Sequence, residues 1–201
     1  MSPAATLATV LLAYLPAAVS PGPNFVLIAH TAAAGTRRAA VAVALGVVAA
    51  GGLLAAVAVF GLGSVLARAP WLATALKIAC GGYLAWLGIR LWLRAHAPEN
   101  APPAGHRNAF RQGVLSNLTN PKAAAFFGSV LTATLPPTEP TAVKAAAVGL
   151  IVAASATWHL TVALLFSSPA TQRWYAHAKP VLNRVVGTVL VVLGVILAMT
   201  P

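Results

Sequence analysis

Two short motifs contain the residues best placed to do chemistry in this chain. They are Pro21-Gly22-Pro23-Asn24 and Asn117-Leu118-Thr119-Asn120-Pro121-Lys122, and each interrupts a long apolar stretch. Proline lacks a backbone N–H and clashes with the preceding helical turn, so each motif predicts a broken helix. Inside a bilayer, the unpaired N–H and C=O groups at such a break must face protein or a water-filled cavity. The two motifs therefore predict a polar site between apolar segments.

A polar site of this kind is suited to a small molecule that carries both charges, such as a free amino acid. The N-terminal end of a half-helix carries partial positive charge and can bind a carboxylate, and unwound carbonyl groups can bind an ammonium. Asn24, Asn117 and Asn120 add side-chain donors and acceptors beside the breaks. Asn24 and Asn120 have a second interpretation, in which they only cap or satisfy the local kinks, and both roles can coexist.

Four ionisable side chains in the apolar segments are candidates for binding, coupling or gating. Lys122 adjoins the second motif, and a charge within hydrocarbon is costly, so an intramembrane lysine is by default a functional hypothesis. The alternative for Lys122 and Lys77 is that the ammonium group reaches water at the interface. We favour function for Lys122 and weigh the two interpretations equally for Lys77. His30 and His159 could carry a proton, although a buried structural histidine is the more common case.

Missing residue types restrict the substrate and the chemistry. The chain has no aspartate, and its two glutamates, Glu99 and Glu139, fall in predicted loops. A substrate with a cationic side chain would have no carboxylate partner within the membrane, which favours a neutral amino acid or a neutral derivative. The usual carboxylate proton carrier is absent as well. Nothing resembles a phosphate-binding loop, a zinc motif or a CxxC pair, so we expect no enzyme, no cofactor and no metal site.

The composition is that of a membrane protein. Of 201 residues, 59% are hydrophobic and 7% are charged, against about 25% charged residues in soluble domains. The net charge of +11 does not indicate nucleic-acid binding, because the bases lie mostly in short gaps between apolar segments. The apolar N-terminus lacks the basic region of a signal peptide, so we expect it to be retained.

Six apolar segments approach the roughly 20 residues that cross about 30 Å of hydrocarbon. They are Ala4–Ala34, Ala39–Leu66, Trp71–Trp92, Val114–Leu135, Thr141–Phe166 and Val181–Thr200. Three spans per half give the halves opposite orientations in the membrane. The sequence therefore predicts an all-α, polytopic membrane protein with one transporter domain over residues 1–201. Its two inverted three-helix repeats are 4–94 and 110–200, joined by a linker at 95–109, and the first and fourth helices are broken.

Two glycine pairs fit the predicted repeat. Gly81 and Gly88 lie in the third segment, and Gly187 and Gly194 recur at the same spacing in the sixth. Glycines seven residues apart share one helix face, so close helix packing explains the same pattern.

Basic residues are distributed unevenly between the two sides. The gaps after segments one, three and five contain Arg37, Arg38, Arg90, Arg94, Arg107, Arg111, Arg173, Lys179 and Arg184. The opposite side has Arg68 and Lys144. The positive-inside rule therefore predicts that both termini are periplasmic. If the first segment is re-entrant rather than spanning, the N-terminus lies on the other side.

Further motifs follow one another in a specific order along almost the whole chain. After Pro21-Gly22-Pro23-Asn24 come Gly35-Thr36-Arg37-Arg38, Ala44-Leu45-Gly46, Lys77-x3-Gly81-Gly82-Tyr83-Leu84-x2-Leu87-Gly88, and Phe110-x2-Gly113-x3-Asn117-Leu118-x-Asn120-Pro121-Lys122 with Phe126-Phe127. Together they resemble the lysine-exporter/threonine-homoserine-exporter (LysE/RhtB) family. The resemblance implies an exporter of amino acids or related metabolites in the bacterial inner membrane, driven by the proton gradient.

These observations predict efflux of small neutral amino acids or related metabolites. The predicted substrate-binding residues are Pro21, Gly22, Pro23, Asn24, Asn117, Asn120, Pro121 and Lys122, and those for coupling or gating are Lys77, His30 and His159. The expected partners are the substrate, protons and the lipid bilayer, and small residues on most helices would allow close packing between subunits. Two alternatives are an exporter of metal or other cations and a scaffold subunit that transports nothing.

Overall fold

The computed structural model describes residues 2–34, 36–62, 70–93, 95, 108–136 and 138–199, and all regular structure within these ranges is helical. The helices are α1 (Pro3–Val19), α2 (Pro23–Ala34), α3 (Arg37–Ala56), α4 (Pro70–Leu93), α5 (Ala109–Leu118), α6 (Pro121–Ala125), α7 (Leu131–Thr134), α8 (Thr141–Leu165) and α9 (Pro169–Met199). A π-helical stretch, Val57–Leu62, extends α3, and a second, Phe126–Val130, joins α6 to α7.

Several of these helices have the length and composition of membrane spans. Within the described ranges, the segments Arg37–Gly61, Thr141–Leu165 and Pro169–Met199 are each long and apolar enough to cross a bilayer. The pair α1 and α2 adds a fourth if it counts as one span, with a bend of 53° at the break. The chain is therefore an all-α protein with several membrane-span candidates.

The last helix is longer than the apolar pattern predicted. The sequence placed its start at Val181, but α9 begins at Pro169 and passes through Pro180 without ending. Its first turns contain exposed polar and basic groups such as Arg173, which hydropathy does not recognise as part of a span. At 1.5 Å per residue, 31 residues extend about 46 Å and exceed the hydrocarbon thickness.

Glycines let α4 and α9 touch at the backbone. A Cβ atom added to Gly81 would lie 2.6 Å from the carbonyl oxygen of Gly194, and one on Gly194 would lie 2.5 Å from that of Gly81. Gly88 and Gly187 oppose each other in the same reciprocal way. The two helices are therefore antiparallel and packed closely, so the packing interpretation of the glycine pairs is confirmed.

The helices α3 and α5 are in similarly close contact. A Cβ atom on Gly46 would collide with the carbonyl oxygen of Phe110, and one on Gly113 with that of Val43. Contacts between helices in lipid depend on packing at small residues rather than on a hydrophobic driving force. This contact fixes the position of the second helix break beside α3.

Candidate functional site

The first break arises because backbone donors are missing at the proline motif. The N–H of Ser20 makes the last helical hydrogen bond of α1. Pro21 and Pro23 have no N–H to donate. Helical bonding resumes where the N–H of Val26 donates to the carbonyl of Gly22 over 2.9 Å. Helical hydrogen bonding is therefore interrupted between Ser20 and Val26, and this interruption separates α1 from α2.

The second break is organised by Asn120. Its Oδ1 accepts the backbone N–H of Lys122 over 3.0 Å, and its carbonyl accepts that of Ala124 over 3.0 Å. Pro121 starts α6 at a position where a missing N–H costs little. The capping role predicted for Asn120 is therefore confirmed, but its Nδ2 is buried and has no hydrogen-bond partner within the described ranges.

Amide side chains join the two breaks. Nδ2 of Asn24 donates to Oδ1 of Asn117 over 2.9 Å, and the hydroxyl of Ser116 donates to Oδ1 of Asn24 over 2.8 Å. Nδ2 of Asn117 donates in turn to the carbonyl of Val47 on α3 over 2.8 Å. The start of α2 is thereby fixed to the end of α5 and to the middle of α3.

Lys122 makes a second connection between the breaks. Its Nζ donates to the carbonyl of Ser20 over 2.9 Å and to the hydroxyl of Ser20 over 2.6 Å. That hydroxyl donates to the carbonyl of Ala17 over 3.1 Å. Lys122 is 9% exposed and Ser20 is 1% exposed, so this contact is away from solvent. A Cβ atom on Gly22 would lie 3.1 Å from Nζ, and glycine therefore leaves the space that the ammonium group needs.

The helix α8 contributes a buried histidine opposite the breaks. Nδ1 of His159 lies 2.9 Å from the carbonyl oxygen of Ser155 and 3.1 Å from its hydroxyl. A carbonyl oxygen only accepts hydrogen bonds, so Nδ1 bears the proton of the neutral ring and Nε2 is the acceptor.

A small cavity lies where these groups meet. Its volume is about 40 Å³, and its walls include Asn24, Asn117, Asn120, Lys122 and His159. That volume holds a few water molecules and is too small for a free amino acid. No carboxylate is among the described residues that line it. The site thus combines one cation, several amides and one imidazole.

Comparison with known proteins places this architecture in a family. The model of the LysE type translocators matches residues 15–200. The chain belongs to the LysE type translocator family. It is therefore a transporter and not an enzyme.

Curated relatives cover most of this translocator. The threonine efflux protein of Escherichia coli strain K12 is 32% identical over 174 residues, which are 83% of this chain and 84% of that protein. The threonine efflux protein of Salmonella typhi is 30% identical over the same proportions. The uncharacterized membrane protein YahN of Escherichia coli strain K12 is 30% identical over 176 residues, which are 85% of this chain and 79% of that protein. No solved structure matches the chain significantly.

Aromatic side chains from both sides of the first break, and from the segment after the second, line the translocator's cavity. On α2, Phe25 lines the cavity and packs against Trp158, Phe166 and Tyr175, with ring centroids 6.5, 5.3 and 5.1 Å away. Trp158 lies on α8, Phe166 directly follows α8, and Tyr175 lies on α9. Phe25 therefore connects the cavity wall to a four-ring cluster formed with these residues.

Three further aromatic rings line the cavity, those of Tyr14, Phe126 and Phe127. The rings of Tyr14 and Phe126 lie 5.4 Å apart, and those of Phe126 and Phe127 lie 5.2 Å apart. Tyr14 precedes the first break and the two phenylalanines follow the second, so this cluster joins segments from both breaks.

The predicted site residues are not all at the cavity. His30 does not line it, and its Nδ1 is buried with no hydrogen-bond partner in the described part of the chain. The side chains of Lys77 and Pro121 lie outside the described part of the structure. Ser20 and Ser116 were not predicted. The position of Ser20 directly before the first proline motif was a signal that could have identified it.

Proposed function

We propose that this translocator exports small neutral amino acids, or related neutral metabolites, from the cytoplasm. The observation that carries the proposal is the cavity at which two broken helices meet, joined by the Asn24–Asn117 hydrogen bond and the Lys122–Ser20 contact. Paired helix breaks of this kind mark substrate sites in secondary transporters.

The charges around the cavity favour a neutral side chain on the substrate. Lys122 is the cation of the described lining, and no carboxylate there offsets it. A substrate with a lysine-like or arginine-like side chain would meet a like charge at close range, which is unfavourable in a medium of low dielectric constant. The threonine efflux relatives agree with a small, uncharged side chain.

We further propose six spans arranged as two inverted three-helix repeats. The reciprocal glycine contacts support this arrangement. Gly81 opposes Gly194 and Gly88 opposes Gly187, which is the pattern that a two-fold axis in the membrane plane would generate between the third and sixth spans. The broken first and fourth spans and their mutual contact fit the same axis.

The proposed setting is the bacterial inner membrane, with both termini on the periplasmic side. The exposed bases Arg37, Arg38, Arg111 and Arg173 lie near the ends of helices that share one side in this topology. The positive-inside rule assigns that side to the cytoplasm. Protons moving inward would drive export, and His159 is a cavity group able to carry one.

Counterflow in proteoliposomes that contain only this protein tests the proposal. Vesicles loaded with unlabelled threonine, leucine or homoserine should accumulate the labelled solute from outside, and vesicles loaded with lysine should not accumulate labelled lysine. Proton antiport also predicts that loaded vesicles lose labelled threonine faster into an acidic medium than at equal pH. Exchange of lysine alone, or of no amino acid, would contradict the proposal.

Substitutions test whether the cavity is the transport site. We expect Asn24→Ala and Lys122→Ala each to lower threonine exchange at least about tenfold, because each removes a hydrogen-bonding group that joins the breaks. Asn183→Ala is a matched control, since Asn183 is a buried asparagine of α9 outside the cavity. Normal exchange by both cavity variants, at normal levels of inserted protein, would refute their roles.

A further inference from the structure

The cavity of the translocator has hydrogen-bonding groups left over, and most of them are donors. Oδ1 of Asn24 accepts from Ser116, Oδ1 of Asn117 accepts from Asn24, and Oδ1 of Asn120 accepts from the backbone of Lys122. These side-chain oxygens are thus already engaged by protein donors.

Two donors, by contrast, are not fully used. Nδ2 of Asn120 has no hydrogen-bond partner among the residues that the structure describes, and the residue is only 3% exposed. Nζ of Lys122 directs two hydrogen bonds at Ser20, whereas an ammonium group has three N–H bonds. An orphaned buried donor beside a buried cation is a combination that native structures seldom leave without a function.

We propose that Lys122 and Asn120 form the subsite for the substrate's α-carboxylate, so that the translocator requires a free carboxylate and rejects esters, amides and amino alcohols. This inference rests on the proposed function as an amino-acid exporter. A carboxylate has two oxygens that only accept, which match one donor from each residue. A carboxylate also supplies the negative charge that no described residue of the cavity lining offers to Lys122.

The end of α6 does not compete for this role. The sequence suggested that a half-helix N-terminus would receive the carboxylate. At the start of α6, however, Pro121 has no N–H, and the N–H of Lys122 is already satisfied by Oδ1 of Asn120. In the proposed subsite the anion is therefore bound by the side chains at the break rather than by these backbone groups.

The substrate's ammonium group has its own complement across the cavity. Nδ1 of His159 donates to the carbonyl of Ser155, which leaves Nε2 of the neutral ring as an acceptor. Donors on the α6 side and an acceptor on α8 would orient a zwitterion in one direction across the cavity. Small uncharged side chains would then point towards the aromatic rings.

Carboxylate binding would also act on the first break. The cavity of about 40 Å³ cannot hold a substrate until it enlarges, and Nζ of Lys122 is held by Ser20 at the end of α1. A charged acceptor forms stronger hydrogen bonds with an ammonium group than neutral oxygens do. The carboxylate would therefore compete with Ser20 for Nζ and weaken the contact between α1 and α6.

The first test compares analogues in wild-type proteoliposomes. Counterflow of labelled threonine is measured against unlabelled threonine, threonine methyl ester, threoninamide and threoninol. We expect threonine to compete and the three analogues to be at least about tenfold weaker, since each lacks the charged acceptor. Equal competition by acid and ester would overturn the subsite while leaving amino-acid export intact. Absence of any threonine exchange would count against export and the subsite together.

The second test asks whether Lys122 causes this discrimination. In Lys122→Met, the preference for acid over ester should fall to less than about threefold, because the remaining contacts treat both alike. Lys122→Arg should retain a preference, and Lys144→Met, at the start of α8, is the control and should keep the wild-type ratio. An unchanged ratio of acid to ester exchange in Lys122→Met would refute the proposal. If Lys122→Met cannot be purified or exchanges neither compound measurably, the ratio in Asn120→Ala decides, and an unchanged ratio there would refute the proposal.

Discussion

The contact between α3 and α5 yields a prediction about a glycine that lies away from the cavity. A methyl group at Gly113 would fall on the carbonyl oxygen of Val43 and 3.0 Å from the amide nitrogen of Val47. Real Cβ atoms essentially never come closer than 3.0 Å, so Gly113→Ala should force α3 and α5 apart by at least about 1 Å.

That separation would reach the site through Asn117, one turn further along α5. Its 2.8 Å hydrogen bond to the carbonyl of Val47 would lengthen to about 3.8 Å and cease to be a hydrogen bond. Overpacking costs about 1–3 kcal/mol, and an interhelical hydrogen bond in a membrane contributes about 0.6 kcal/mol. We therefore expect Gly113→Ala to lower the free energy of unfolding by about 2–4 kcal/mol and to reduce threonine exchange.

The assay is reversible unfolding in mixed detergent micelles, followed by circular dichroism, together with counterflow. Gly149→Ala is the matched control, because Gly149 lies within α8 and a Cβ atom there has no neighbour within 4 Å. Alanine should stabilise that helix by up to about 1 kcal/mol. If Gly113→Ala unfolds and transports like Gly149→Ala, the packing argument for the α3–α5 contact is wrong.

Two further predictions concern the contact between α4 and α9 and the aromatic cluster around Phe25. Gly88→Ala, which places a methyl group on the carbonyl of Gly187, should cost about 1–3 kcal/mol of unfolding free energy. The fraction of this variant that remains folded should exchange threonine with an unchanged KM, since the α4–α9 contact does not line the cavity. A raised KM would show that this contact affects the cavity. Phe25→Ala removes the ring at the centre of the four-ring cluster and should increase passive leak of labelled threonine from loaded vesicles. A leak no greater than in wild type would show that Phe25 does not close the cavity.

The sequence predicted the helix breaks because their cause is local. Pro21, Pro23 and Pro121 lack the N–H that a helix needs, whatever surrounds them. The apolar segments were predicted for a similar reason, since length and hydropathy suffice. The start of α9 at Pro169 was missed because its first turns are too polar for that criterion.

The pairings within the site were not predictable from the sequence. Lys122 and Ser20 are 102 residues apart, and Asn24 and Asn117 are 93 apart, so only the packing of the two breaks brings them together. The unpaired Nδ2 of Asn120 was not predictable either, because it depends on how the side chain is oriented when its Oδ1 accepts the N–H of Lys122. In the sequence, Tyr14 and Phe25 are indistinguishable from other aromatic residues of apolar segments. Only the structure shows that both line the cavity.

If Lys122 binds the substrate as proposed, its contact with Ser20 would let the same lysine serve both a loaded and an empty carrier. A transporter passes through states with and without bound substrate. A buried ammonium group that lacks hydrogen-bond partners is costly in either state. Ser20 supplies two neutral acceptors when no substrate is present. In the proposed subsite the substrate's carboxylate, a better acceptor than a carbonyl or a hydroxyl, would compete with Ser20 for Nζ, whereas a fixed acidic side chain would hold Lys122 permanently. The absence of aspartate from the chain then agrees with a site whose anion arrives with each substrate and leaves with it.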